Sequence, residues 1–261
     1  MIMEKTKSFL SSLGIGLVVL LAAIILTGCG HREKPEGRLN PEALQQVAFY
    51  ETYQLVDLID PLLRMEEEFT KHRGKADTLS LEQLLNLRNS GLWTDPDFYM
   101  KTPVLGTVYV ADTAAVNRLF ERYAAQFLPE DLKWMWTYKP YEIPGRFDTT
   151  DTVATCYQLI ALRTVQGQPA ITGQSIVSAK KEYEKNMGYA LSLQFNDVGA
   201  RGFSRATSHN IGRALAFVIG DRLYSYPTVN SQIDSGIVNI MGDFTEEEID
   251  ELIDFLHEKE Q

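Results

Sequence analysis

Residues 173–244 read GQSIVSAKKEYEKNMGYALSLQFNDVGARGFSRATSHNIGRALAFVIGDRLYSYPTVNSQIDSGIVNIMGDF, and the rest of the chain is organised around this segment. Apolar patterning predicts strands over Tyr189–Phe195 and Ile237–Met241, and a helix over Asp197–Ile211. Two apolar runs around a Gly-Asp pair predict a hairpin over Leu215–Val229. Because none of these elements carries the residue types of a catalytic centre, the segment predicts a small α/β module that acts through its surface.

The helix in this segment is punctuated by glycines. Its spacing places Val198, Phe203 and Ala206 on the side expected to face the core. Gly212 follows the helix and precedes a strand, so we expect a left-handed backbone conformation there.

Two elements flank the segment's central part. Val177–Glu184 fits either a helix or a strand; we expect a strand, because Asn186-Met187-Gly188 suits a hairpin turn back to the next strand. At the end of the segment, Thr245 and Glu248 form a capping box, which predicts a final helix. Its apolar stripe is formed by Ile249, Leu252, Ile253 and Leu256.

Three further strands are predicted in the first half of the chain, at Val47–Tyr53, Val104–Val110 and Leu132–Tyr138. In the third strand, Trp134 and Trp136 share one face. A tryptophan pair in this arrangement could clamp a ligand or pack against helices, and we expect packing.

Three helices are predicted between these strands. Pro61 either starts or kinks the first helix. The second begins with a capping box of Ser80 and Gln83 and is expected to end at Gly91, and Asp112 is expected to cap the third. The next segment, Leu92–Pro103, contains three aromatics that either pack or offer a binding face, and we expect packing: Trp93, Phe98 and Tyr99.

Alternating strands and helices predict an α+β fold. We expect two ferredoxin-like lobes of mixed or antiparallel sheets packed with helices, at residues 41–150 and 151–261. The boundary is placed in Pro140–Asp151, which contains a Pro-Gly turn.

The first 28 residues predict a signal peptide, and residues 29–40 a polar tether. A short basic start and the apolar run Phe9–Leu26 precede Leu26-Thr27-Gly28-Cys29, which resembles the lipobox of bacterial lipoproteins. The resemblance implies cleavage before Cys29 and fatty acylation of that residue. The alternative is an uncleaved transmembrane anchor, since about 18 apolar residues nearly span a bilayer. Both predict a chain tethered to a membrane and facing outside the cytoplasm.

Composition and motifs exclude several functions. The net charge of −10 argues against a nucleic-acid surface, which would concentrate Lys and Arg. Cys156 is the second of two cysteines and lies in an apolar run, so we expect a buried, inert thiol. We find no metal-ligand spacing, phosphate loop or nucleophile elbow, and therefore expect no enzyme activity, metal, cofactor or small-molecule substrate.

The second half of the chain resembles the first periplasmic domain, with its base and head, of SecD and SecDF protein-export proteins. Besides the apolar runs of the hairpin and of strand 237–241, the resemblance is carried by Gly173, Gly199, Phe203, Asn210, Gly212, Pro227, Gly236, Gly242 and Phe244. We expect these residues to serve the fold. The first half, at Phe49–Tyr53, looks similar to the opening of the same domain.

The resemblance implies a membrane-anchored envelope module, in a bacterium, that contacts unfolded exported polypeptide or the Sec machinery. The family's proton-carrying membrane helices have no counterpart here, so we expect no proton-driven motor. The alternative is a structural or regulatory envelope lipoprotein unrelated to export.

Overall fold

The structure, a computed structural model, describes residues 37–72, 79–87, 96–144, 153–185 and 188–258. The predicted signal peptide, Cys29 and most of the tether lie outside these residues, as do Trp93, Gly91 and the predicted boundary between residues 150 and 151. From Gly37 onward the chain forms one unit.

Helices and strands alternate along this unit. The helices are α1 (Pro41–Gln46), α2 (Leu55–His72), α3 (Leu81–Leu84), α4 (Pro96–Tyr99), α5 (Thr113–Phe127), α6 (Asp197–His209) and α7 (Glu246–Leu256). The strands are β1 (Val47–Thr52), β2 (Val104–Tyr109), β3 (Leu132–Trp136), β4 (Tyr141–Pro144), β5 (Val153–Arg163), β6 (Ile171–Thr172), β7 (Ile176–Glu184), β8 (Gly188–Phe195), β9 (Leu215–Ile219), β10 (Arg222–Ser225) and β11 (Ile237–Met241).

The strands form two sheets. Eight strands share one sheet with the order β10-β9-β1-β5-β2, in which β3 and β4 also pair with β5, and β6 pairs with β1. The other sheet has the order β11-β8-β7. Neighbouring strands run antiparallel, which confirms the predicted α+β class. Strands from both predicted lobes share the larger sheet, and the boundary itself stays a prediction.

Strand β9 connects two hydrophobic cores. Ala216 and Val218 face a core that contains α2 and α5, whereas Leu215, Phe217 and Ile219 face a core that contains α6, α7 and the three-stranded sheet. All five residues are buried. A strand covered on both faces is apolar throughout, which explains the uninterrupted run in the sequence.

Helix α2 contains Pro61 in its interior rather than at its start. Its buried residues lie on both sides of the proline: Leu55, Leu58, Leu62, Met65 and Phe69. This continuous apolar stripe anchors both halves of the helix to the core, so the helix persists although proline cannot donate a backbone hydrogen bond.

Two predictions about helices are wrong. The capping box of Ser80 is confirmed, but α3 ends at Leu84, because Asn86 adopts a left-handed φ of 51° directly after the C-cap residue. In α6, Phe203 and Ala206 are buried, whereas Val198 is 69% exposed. Phe203 lies five positions after Val198, so at about 100° per residue their side chains diverge by about 140°.

Gly212 has a backbone φ of 79°, which confirms the predicted left-handed conformation. Its amide donates a hydrogen bond to the Val229 carbonyl at 2.9 Å, so the turn is held in place. We expect Gly212→Val to lower the free energy of unfolding by about 1 kcal/mol or more, because a β-branched residue is strained there. Urea denaturation measures the loss.

Gly212→Asn is the matched control, since asparagine tolerates left-handed backbone better than valine. It should lose clearly less stability than the valine variant. Equal urea midpoints for the wild type and the valine variant would contradict the account.

Candidate functional site

The glycines named from the sequence permit close packing between elements. A Cβ atom on Gly173 would lie 2.4 Å from the Leu44 carbonyl oxygen and 2.5 Å from the Val47 Cβ. A Cβ on Gly199 would lie 2.5 Å from the Ser175 side chain. Gly236 adopts a φ of 69°.

Two other residues that carry the family resemblance, Phe203 and Asn210, are buried. The centroid of the Phe203 ring lies 5.3 Å from that of Phe49 and 5.2 Å from that of Phe195, in the hydrophobic core that contains α6 and α7. Asn210 is buried, and its Nδ2 donates to the Ala206 carbonyl at 2.8 Å.

Three remaining positions lie near chain turns. The Pro227 carbonyl accepts from the Leu215 amide at 3.1 Å. A Cβ atom on Gly242 would lie 3.0 Å from the Phe244 ring. The residues that carry the family resemblance therefore do not converge on one surface. The structure brings together a different set of residues, at a groove.

That set lines a groove beside Tyr138, which we call the Tyr138 groove. The groove has two parts, with volumes of about 280 Å³ and about 370 Å³, and Tyr138, Asp221 and Arg222 line both. The first part is lined by Gln46, Tyr138, Ile219, Gly220, Asp221, Arg222, Tyr224, Glu248, Glu251, Leu252 and Phe255, and the second by Trp136, Thr137, Tyr138, Tyr157, Asp221 and Arg222.

Local sequence explains how these walls form. Gly220 has a φ of 61° in the turn between β9 and β10, and Asp221 and Arg222 follow it at the rim. On the opposite wall, Glu248, Glu251 and Phe255 lie three and four residues apart and share one side of α7. The confirmed capping box of Thr245 starts this helix.

Stacked aromatic rings form the middle of the groove. The Tyr138 and Tyr224 ring centroids lie 4.5 Å apart with an interplanar angle of 26°. The Arg222 guanidinium carbon lies 5.5 Å from the Tyr138 centroid, within cation–π range. Burial raises the pKa of the Tyr224 hydroxyl above its ordinary value.

One ion pair holds α7 beside the groove. Lys139 Nζ lies 2.5 Å from Glu248 Oε2 and also donates to the Asp243 carbonyl. Burial opposes ionisation of Glu248, but hydrogen bonds from Lys139 and Thr245 outweigh it and lower the pKa of this carboxyl.

Two carboxylates at the groove remain available. Asp221 and Glu251 are exposed, and neither makes a hydrogen bond or ion pair with the described part of the chain. Aromatic walls and free carboxylates suit a ligand that is apolar and positively charged. They do not form a nucleophile–base pair.

Other candidates do not form a site. Cys156 is fully buried, as predicted. Across the described ranges, no group of three His, Cys, Asp or Glu residues could hold a metal ion. Within the same ranges, no helix is long and apolar enough to cross a membrane.

The aromatic residues considered from the sequence divide between packing and exposure. Trp134 packs on Phe120 at 5.4 Å, and Trp136 Nε1 donates to Asn117 Oδ1 at 3.0 Å, although Trp136 also lines the groove. Tyr99 is buried, whereas Phe98 is 68% exposed. The expected packing is thus confirmed for the tryptophan pair and for Tyr99 but is wrong for Phe98.

The fold and the groove define an α+β module with an open, aromatic-lined surface. Within that class, residues 155–258 match the family model described as the P1 head subdomain of SecDF. This match confirms the predicted resemblance to the first periplasmic domain of SecD and SecDF proteins.

Two relatives are protein translocase subunits SecD. The Rhodothermus marinus subunit is 32% identical over 154 residues, which cover 59% of this chain and 23% of the relative. The Rickettsia bellii subunit is 35% identical over 88 residues, which cover 34% of this chain and 17% of the relative. This chain therefore spans about a quarter or less of their length. An alignment of 154 residues cannot fit within 155–258, so the first similarity includes earlier residues.

Solved SecDF structures show a weaker likeness. One, described as a membrane component SecDF that enhances protein export, is 19% identical with a TM-score of 0.33, covering 80% of this chain and 91% of that chain. SecDF from Thermus thermophilus, a translocon-associated membrane protein, is 16% identical with a TM-score of 0.29, covering 84% of this chain and 28% of that chain. Such low scores do not support a fold assignment, which rests on the topology above.

Proposed function

We propose that this chain is a membrane-anchored envelope module, facing the periplasm, that holds extended segments of exported polypeptide. The observation that carries the proposal is the match of residues 155–258 to the head subdomain of a protein-export component. The proposed activity requires no nucleotide, metal or proton gradient, because it is binding alone. Its partners are unfolded exported polypeptide and the Sec machinery.

The Tyr138 groove is the proposed contact surface. Its stacked Tyr138 and Tyr224 rings can receive apolar side chains. Asp221 and Glu251 favour segments that carry Lys or Arg, in keeping with the chain's net charge of −10. Added salt should weaken the binding of such basic segments, because it screens exposed charges.

The membrane anchor is proposed to be lipid on Cys29. The support is the lipobox-like Leu26-Thr27-Gly28-Cys29 at the end of an apolar run. Acylation there would hold the module at the membrane surface.

Titration of labelled, unfolded presequence-bearing protein against residues 37–261 tests the binding. This fragment forms one unit and contains every residue that the described part of the chain contributes to the two hydrophobic cores, so we expect it to fold. We expect Tyr138→Ala to weaken binding roughly tenfold, as expected when an aromatic anchor is truncated. The melting midpoint of the variant separates lost binding from lost folding.

Phe98→Ala is the matched control, because Phe98 is an exposed aromatic outside the groove. It should bind like the wild type. If the wild type binds no polypeptide below the millimolar range at low or high salt, polypeptide holding is wrong. A structural or regulatory lipoprotein would then be the better account.

A further inference from the structure

One lysine links the two walls of the Tyr138 groove. Lys139 directly follows Tyr138, whose backbone amide donates a hydrogen bond to the Leu223 carbonyl at 2.7 Å, so the aromatic wall is fixed to β10. The Lys139 Nζ lies 2.5 Å from Glu248 Oε2 on α7 and also donates to the Asp243 carbonyl, just before that helix. The lysine therefore joins the aromatic wall to the helical wall at two points.

The Glu248 carboxylate also helps to begin α7. Its Oε2 accepts a hydrogen bond from the Thr245 amide at 2.8 Å, which completes the capping box. The side chains of Lys139 and Glu248 are 34% and 22% exposed, so water shields this pair less than it would a fully exposed one. One partly buried carboxylate thus fixes the start of the helix and its contact with the opposite wall.

Core packing holds α7 through a different set of residues. The buried residues of the helix, Ile249, Leu252 and Leu256, belong to the core that contains α6. At the groove, Glu251 is exposed and Phe255 is 37% exposed. Within the described ranges, the ion pair of Glu248 is the one that joins this side of α7 to the Tyr138 wall. Without it, we expect the helix to stay folded but to shift at the groove.

We propose that Lys139 is a positioning residue for polypeptide binding, because its ion pair with Glu248 holds α7 in place as one wall of the Tyr138 groove. The inference rests on the proposed function and names what prepares the groove for its ligand. A wall that is already in place need not be ordered when the ligand binds. Any ordering that binding does require is subtracted from the affinity.

Two substitutions in residues 37–261 separate position from charge. Lys139→Met removes the ammonium group, and Glu248→Gln removes the carboxylate charge but can still complete a capping box. We expect each to weaken the binding of labelled, unfolded presequence-bearing protein about fivefold. The double variant should bind no more weakly than either single one, because the same ion pair is lost in all three.

An effect of charge alone predicts a different pattern. Lys139→Met makes the groove more negative and would strengthen the binding of basic segments, whereas Glu248→Gln makes it less negative and would weaken that binding. The two effects would then have opposite signs and would cancel in the double variant. The direction of the Lys139→Met effect therefore decides between position and charge.

Lys181→Met is the matched control. Lys181 ties the same helix to β7, with its Nζ 3.0 Å from Glu246 Oε1 and 2.7 Å from Asp250 Oδ1, and none of these three residues lines the groove. This variant should bind polypeptide within about twofold of the wild type, although it also loses ion pairs of α7. Urea midpoints show whether each variant stays folded.

Hydrogen exchange reports the position of α7 directly. In the free Lys139→Met variant, amides of residues 249–252 should exchange faster than in the wild type, and bound polypeptide should restore their protection. Wild-type or tighter binding by Lys139→Met, or equal weakening by Lys181→Met, would overturn the inference while leaving polypeptide holding intact. If the wild type binds no polypeptide below the millimolar range, the proposed function fails together with this inference.

Discussion

Gly173→Ala is expected to lower the free energy of unfolding by about 2–4 kcal/mol, a large loss for a single added methyl group. The new Cβ would lie 2.4 Å from the Leu44 carbonyl oxygen and 2.5 Å from the Val47 Cβ. One of these neighbours is backbone and the other is rooted in β1, so neither can move aside as a flexible side chain would. Urea denaturation of residues 37–261 measures the change.

Gly202→Ala provides the matched control. Gly202 lies inside α6, and the nearest atom to an added Cβ is Ile171 Cγ1 at 4.0 Å, an ordinary contact. Alanine should stabilise the helix there by about 0.5–1 kcal/mol, because it restricts the unfolded chain. If both variants unfold at the wild-type midpoint, the close approach at Gly173 is not part of the fold.

Cys29→Ser is expected to abolish fatty acylation and leave an unprocessed precursor. The reason is chemical: serine lacks the thiol that would carry the lipid at the lipobox-like sequence. Metabolic labelling with a radioactive fatty acid, followed by electrophoresis of the full chain, measures both effects.

Cys156→Ser serves as the control, because Cys156 is buried in β5 and is not expected to be acylated. It should label and mature like the wild type. A Cys29→Ser variant that is still cleaved and labelled would refute lipid anchoring at this residue.

Locally determined elements could be predicted from the sequence. The Gly220 turn with its flanking apolar runs forms the predicted hairpin of β9 and β10, and the capping box at Thr245 begins α7. The ambiguous segment 177–184 is strand β7, paired with β8 as expected. In each case the residues that determine the structure lie within a few positions of one another.

Long-range pairing could not be predicted in the same way. The Leu85 carbonyl, directly after α3, accepts a hydrogen bond from the Thr107 amide, more than twenty residues further along. The groove depends on contact between Tyr138 and Tyr224, which no periodicity connects.

Photo-crosslinking in cells tests polypeptide holding most directly. A photoreactive residue replaces Asp221, at the groove rim, in the full chain in its native envelope, and newly made exported proteins are pulse-labelled. We expect crosslinks to several exported precursors, which disappear when protein synthesis stops; the same probe at Phe98 should give few. Equal crosslinking at both positions, or none to newly made precursors at Asp221, would contradict the account.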